Sequence, residues 1–302
     1  MNIVKNRKLY FFISGIVIIP GLISLFLFGL KLSIDFTGGS RLEFKVDSSK
    51  SSVGEKQIKQ TFDSEKVFIH KLEKTSDGTF KVRTDTIDQK KKSAIISDLG
   101  RYGKITEKSF DTVGPTIGKE TEVNAFKAVV IASLAIMAYI AFAFRKVSKP
   151  VASWKFGVCA ILALLHDVLV VVGIFSLFGH FLKVEVDSLF ITALLTVMGF
   201  SVHDTIVVFD RIRENLSKNY SASFEEVVNN SLLETLNRSL NTSFTVIIVL
   251  FSLLLFGGES IRWFVAALLI GIISGTYSSI FNASQLLVVW NEWDKRNKKT
   301  KT

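Results

Sequence analysis

Six separate stretches of this 302-residue chain are each long and apolar enough to cross a bilayer, which constrains the fold more than any other feature. A spanning helix needs about 20 mostly apolar residues, because hydrocarbon offers its backbone no hydrogen-bond partners. The runs are residues 9–30, 125–144, 156–178, 189–209, 242–256 and 263–290. The fifth is short, but small and apolar residues beside it extend it. The first is longer than the ~7–15-residue core of a cleavable leader, and no A-x-A site follows, so it is expected to remain as a span. Pro20 inside it predicts a kink. Gly271 and Gly275, four apart in the last run, predict a close helix–helix contact, within the bundle or with a partner.

Charge orders these spans. Although 48% of residues are hydrophobic, 21% are charged, and the net charge of +10 gathers at the ends of the apolar runs. That placement argues against nucleic acid and for membrane orientation. Lys5, Arg7 and Lys8 precede the first run; Arg145, Lys146, Lys149 and Lys155 separate the second from the third; Lys295, Arg296, Lys298, Lys299 and Lys301 close the chain. The 210–241 segment carries Arg211, Arg213, Lys218 and Arg238. Both termini are therefore expected on the cytoplasmic side, with residues 31–122 as one domain outside it. The expected organisation is a tail and first span over 1–30, that domain, a five-helix part over 123–293, and a basic tail over 294–302.

Within the external segment, residues 41–46 read as a strand, 53–62 as a helix and 66–73 as a strand. A Ser76-Asp77-Gly78 turn leads to a strand over 79–84, then a helix over 87–99 ended by Gly100, and a strand over 105–113. The order βαββαβ predicts a ferredoxin-like domain. The expected fold is thus an α-helical membrane bundle of six transmembrane helices with one extracytoplasmic ferredoxin-like domain. His70 stands alone there, without the partners a metal or catalytic role requires.

Asp204 is the sharpest functional signal. A carboxylate within a spanning helix costs roughly 2.5–3.5 kcal/mol at the bilayer centre, so it should face the bundle interior or a water-filled cavity. Desolvation there favours the neutral form, which suits a group that loads and releases a proton. The plainer reading is a structural polar residue. Asp167, beside His166 in the third run, is open to the same two readings, with His203 or Arg238 as expected partners. His166 and His203 lack the further ligands zinc needs. Residues 223–236 place Phe224, Val227, Val228, Leu232 and Leu236 at helical spacing behind a Ser223-x-x-Glu226 capping box. An amphipathic helix near 221–238 on the cytoplasmic membrane face is expected, or else an extension of the fifth span. Asp35-Phe36-Thr37-Gly38-Gly39 sits where the chain leaves the first span, as a hinge or a plain turn. No HExxH, no GxSxG and no paired catalytic aspartates occur, so no enzyme and no cofactor are expected. The lone Cys159 excludes an internal disulfide.

Four stretches resemble the SecF branch of the SecD/SecF family, itself within the resistance–nodulation–division superfamily. They are Ser33-Ile34-Asp35-Phe36-Thr37-Gly38-Gly39, Val113-Gly114-Pro115-Thr116-Ile117-Gly118, Leu165-His166-Asp167-Val168, and the run from Gly199 through Asp204 to Glu214. Their order and their placement about the spans match as well. The resemblance implies a multi-pass subunit of the bacterial cytoplasmic membrane that uses the proton or sodium motive force to aid late stages of polypeptide export. It implies a SecD-like partner, the SecYEG translocon with accessory membrane proteins, and the exported polypeptide. It also implies that Asp204 couples to the ion and that Arg238, at the matching arginine position, helps it release its proton. The family has Asn where this chain has His203, which leaves the ion and its pH range open. A half-size exporter of lipids or small molecules is the alternative function.

Overall fold

The computed structural model describes residues 2–46, 54–75, 78–145, 152–218 and 222–299. It divides into two compact units, Leu32–Phe126 and a second made of Met1–Lys31 with Lys127–Thr302.

The smaller unit holds a short helix α2 (Ile34–Thr37) and four strands, β1 (Gly39–Val46), β2 (Ile69–Lys74), β3 (Thr79–Thr84) and β4 (Ile105–Val113), with helices α3 (Glu55–Ser64) and α4 (Gln89–Gly100). The sheet is antiparallel in the order β2-β3-β1-β4. Period-two alternation explains which face is buried. Leu42, Phe44 and Val46 of β1 and Phe80 and Val82 of β3 point inward, while Ile58 and Phe62 of α3 and Ile95 and Leu99 of α4, each pair four apart, cover them. Phe44 and Phe80 face each other across the β1–β3 pair, with ring centroids 5.8 Å apart. Asp88 starts α4 by accepting from the Lys91 amide at 2.8 Å. The third predicted element begins late. Lys66 has φ +55° and the Val67 amide returns to Phe62, so α3 is capped before β2 starts at Ile69. Gly100 lies inside α4 rather than just beyond it. Ser76 and Asp77 of the predicted turn and Val53 of the predicted helix lie outside the described residues; Gly78, with φ +83°, suits a turn.

The larger unit contains α1 (Arg7–Phe28), most of α5 (Pro115–Ala143), α6 (Ser153–Phe181), α7 (Ser188–Lys218), α8 (Phe224–Phe256), α9 (Arg262–Ser278) and α10 (Ser284–Lys299). Among the described residues, six helical stretches are long and apolar enough to span, the last formed by α9, a wide π turn over Ser279–Ala283, and α10 together. Close approach is set by small residues. A Cβ on Gly21 would lie 2.9 Å from the Gly173 Cα, so α1 meets α6 nearly backbone to backbone, and one on Gly271 would lie 2.3 Å from a Val197 side-chain carbon, so Val197 of α7 packs directly onto the α9 backbone. The Gly271–Gly275 contact is therefore made within the bundle. α1 runs unbroken through Pro20.

Of the two readings of the stretch after Ser223, the extension of the fifth span is the one seen: α8 is continuous for 33 residues. Phe224, Val227, Val228 and Leu232 are buried against Ile3, Val4, Ile212 and Leu216, so its apolar face is satisfied inside the chain. Lys155 lies in the first turn of α6. It is 7% exposed, ion-paired with Asp294, and its ammonium lies 5.2 Å from the Trp290 ring centroid. The segment after 294 is helical to Lys299, and Lys301, like Lys146 and Lys149, lies outside the described residues.

Candidate ion-coupling site

Helical spacing puts Ser201, Asp204 and Thr205 on one stripe of α7. All three are buried, and Asp204 is 3% exposed. Across from it, α8 contributes Arg238, Ser239 and Ser243, and α9 contributes Thr276. The Asp204 carboxyl is within reach of Ser243, whose hydroxyl accepts from Thr276 at 2.6 Å. Its oxygen Oδ2 is buried with no hydrogen-bond partner among the described residues, as is the Ser239 hydroxyl. Arg238 and, when protonated, His203 act on the carboxylate electrostatically. Both are exposed on the surface of this chain. Arg238 sits nearly halfway along α8, just before its most apolar stretch. An open groove of about 430 Å3 runs between α8 and the last helix, lined by Ser243, Thr276, Phe244, Ile273 and Tyr277 among others. The hydroxyl pair thus stands between the groove and the buried carboxyl.

Asp167 is placed differently. It is 0% exposed, and both oxygens are occupied. Oδ2 accepts from Ser201 at 2.5 Å and from Ser278 at 2.6 Å; Oδ1 accepts from Ser274 at 2.8 Å and lies 3.0 Å from His166 Nδ1. His166 Nε2 is 3.0 Å from the Ser14 hydroxyl of α1, to which Asn282 also donates at 2.8 Å. The expected pairing of Asp167 with His203 or Arg238 is not what these bonds show. Three of its four partners are serine hydroxyls, which fill a carboxylate's lone pairs without introducing a second charge. The serines and the π turn were not singled out from sequence. The run Ser274-Gly275-Thr276-Tyr277-Ser278-Ser279, polar within an apolar span, was the signal that carried them. His70 is exposed and meets Asp85 at 2.7 Å, and the described residues hold no cluster of three metal-ligating side chains.

The glycine motif lies in the smaller unit. Ser33 caps α2 by accepting from the Asp35 amide, and the chain turns through Gly38 (φ +73°) and Gly39 (φ +116°) into β1. A Cβ on Gly38 would lie 2.8 Å from the Pro115 Cα, and one on Gly39 would lie 2.6 Å from the Thr84 carbonyl oxygen. Both positions therefore require glycine twice over, by backbone conformation and by space. Gly114-Pro115 opens α5 against this turn.

Fold and site together define a multi-pass membrane protein with one compact α+β unit and a buried carboxylate pair in its helices. Residues 92–293 match the family described as protein export membrane protein SecD/SecF, C-terminal, and residues 23–50 match the SecD/SecF GG motif. Relatives include protein translocase subunit SecF of Thermobaculum terrenum, 48% identical over 97% of this chain and 95% of that one. SecF of Anaerolinea thermophila is 44% identical over 98% and 96%. The crystal structure of SecDF from Thermus thermophilus, a translocon-associated membrane protein, superposes with a TM-score of 0.81 at 31% identity, covering 97% of this chain and 39% of that one. In Bacillus subtilis SecDF, 36% identical, the match likewise covers 37% of the longer protein, so this chain spans about two fifths of the SecDF chains. The chain belongs to the SecF family of protein-export membrane subunits.

Proposed function

We propose that this chain is the SecF-type half of a bacterial protein-export accessory complex in which a transmembrane ion gradient is converted into work on the exported polypeptide, with Asp204 as the group that takes up and releases the ion. One observation carries the reading. Asp204 is buried in a spanning helix, its Oδ2 has no hydrogen-bond partner among the described residues, and Arg238 and His203 lie within electrostatic range. A buried acid with a free acceptor is costly to keep and is retained where it cycles. Arg238 favours release by stabilising the charged form. Asp167 stands beside this centre in a supporting role.

A second bundle completes the site. Arg238 and His203 are exposed on this chain, and charge facing hydrocarbon is expensive. A SecD-like partner covering that face removes the cost, and the fusion of the two halves in the SecDF relatives supports it. Association with SecYEG and the exported chain is proposed on the strength of the same family membership. The external unit is ferredoxin-like, as its βαββαβ order and β2-β3-β1-β4 sheet support. It lies outside the cytoplasm, both termini lie inside, and the Asp35–Gly39 turn with Gly114-Pro115 is where motion of the helices reaches it.

The test is export into vesicles carrying this chain and its partner, with and without an ionophore. Asp204→Asn keeps size and one acceptor but does not cycle a proton. It should assemble normally, lose the ionophore-sensitive part of export, and leave the ATP-driven part intact. Full ionophore-sensitive export by the variant would refute the reading.

A further inference from the structure

Two buried aspartates in neighbouring spans invite the assumption that both carry the ion, but their surroundings differ in kind. A carrier needs a face on which its proton can arrive and leave. Asp204 has an oxygen with no partner among the described residues. Asp167 has none to spare, since three serine hydroxyls and His166 occupy it at 2.5–3.0 Å. The donors also come from defined places. Ser274 and Ser278 belong to α9 just before the π turn, and Ser201 belongs to α7 one turn before Asp204. Ser279, the first residue of the π turn, bonds the Ser201 carbonyl at 3.1 Å and meets the Thr205 hydroxyl at 2.9 Å. The carboxylate and the π turn therefore grip the same stretch of α7, on both sides of Asp204. Thr276, which meets Ser243 beside Asp204, lies midway between Ser274 and Ser278 and is carried by the same grip.

We propose that Asp167 is a positioning residue: by gathering Ser201, Ser274 and Ser278 onto one carboxylate it locks the π turn against α7 and sets where Asp204 stands relative to Ser243, which Thr276 holds from behind. A wide turn adds one residue to the helical ladder and is a natural place for the last span to slip. Satisfied buried networks of this sort specify one arrangement among several. The proposal rests on Asp204 being the coupling group, and its test separates the two claims.

The experiment compares Asp204→Asn, Asp167→Asn and the double variant Ser201→Ala with Ser278→Ala, each reconstituted with a SecD-type partner. Gradient-driven export of a tagged polypeptide is measured across external pH and normalised to assembled complex. The double variant keeps the Asp167 carboxyl but releases its grip. It should lose export on the order of tenfold, as expected for misplaced reacting groups, and its pH midpoint should move in the same direction as that of Asp167→Asn. A double variant with wild-type export and midpoint, beside an inactive Asp167→Asn, would make Asp167 itself a carrier and overturn the proposal. Losses that merely track the amount assembled, with the midpoint fixed, would reduce Asp167 to general stability and overturn it too. Full activity of Asp204→Asn would overturn both claims, whereas its inactivity beside an unaffected double variant would overturn the positioning role alone.

Discussion

At the scale of single residues, the two aspartates show how the same side chain takes different roles from its neighbours. Asp204 could be singled out from sequence because an acid within Val202, Ile206, Val207 and Val208 has few structural excuses. Its hydroxyl neighbours could not, since serine and threonine are common in spans and only geometry shows that Ser243 stands at the carboxyl with Thr276 behind it. Arg238 offers a direct test of what the positive charge does. If charge alone matters, Arg238→Lys should impair gradient-driven export less than Arg238→Ala; equal loss would point to the planar, bidentate geometry that only guanidinium supplies. Gly39 makes a second prediction. With φ +116° and a Cβ clash at 2.6 Å, Gly39→Ala should destabilise the smaller unit by about 1–3 kcal/mol. Thermal unfolding of the full chain, followed by protease protection of that unit, measures it, and an unchanged profile would contradict the strain.

At the scale of elements, the apolar periods and turn residues were enough to anticipate all four strands and the six spans. The misses have physical causes. The Ser223-x-x-Glu226 box correctly marks a helix start, with the Ser223 amide donating to Glu226 at 2.9 Å, but no residue between 224 and 256 breaks the helix. An amphipathic pattern does not say whether its apolar face meets lipid or protein; here Ile3, Val4 and the end of α7 supply protein. Apart from the polar run that leads into it, the π turn is hard to read from sequence, because Ser279-Ile280-Phe281-Asn282-Ala283 mixes polar and apolar residues as its flanks do. Packing between α7 and α9 gives an element-scale prediction. Gly271→Val should collide with Val197 and lower both assembly and stability, while Val197→Ala should restore much of the loss in the double variant. Size-exclusion profiles in detergent report it, and additive effects would exclude direct contact at that pair.

At the scale of the whole molecule, family membership and the charge pattern together place the chain across the bacterial membrane. Cysteines at Lys90 and Ser217, both exposed and introduced into a Cys159→Ala background, should label oppositely in intact cells. An impermeant thiol reagent should reach Lys90→Cys and spare Ser217→Cys, and the reverse pattern would invert the proposed topology. The central claim, however, is that a buried carboxyl in α7 cycles an ion. It is tested most directly by ion flux through vesicles containing this chain and its SecD-type partner, read with an internal pH dye under an imposed gradient. The account predicts that Asp204→Asn abolishes the flux at an unchanged level of assembled complex. Wild-type flux in that variant would contradict it.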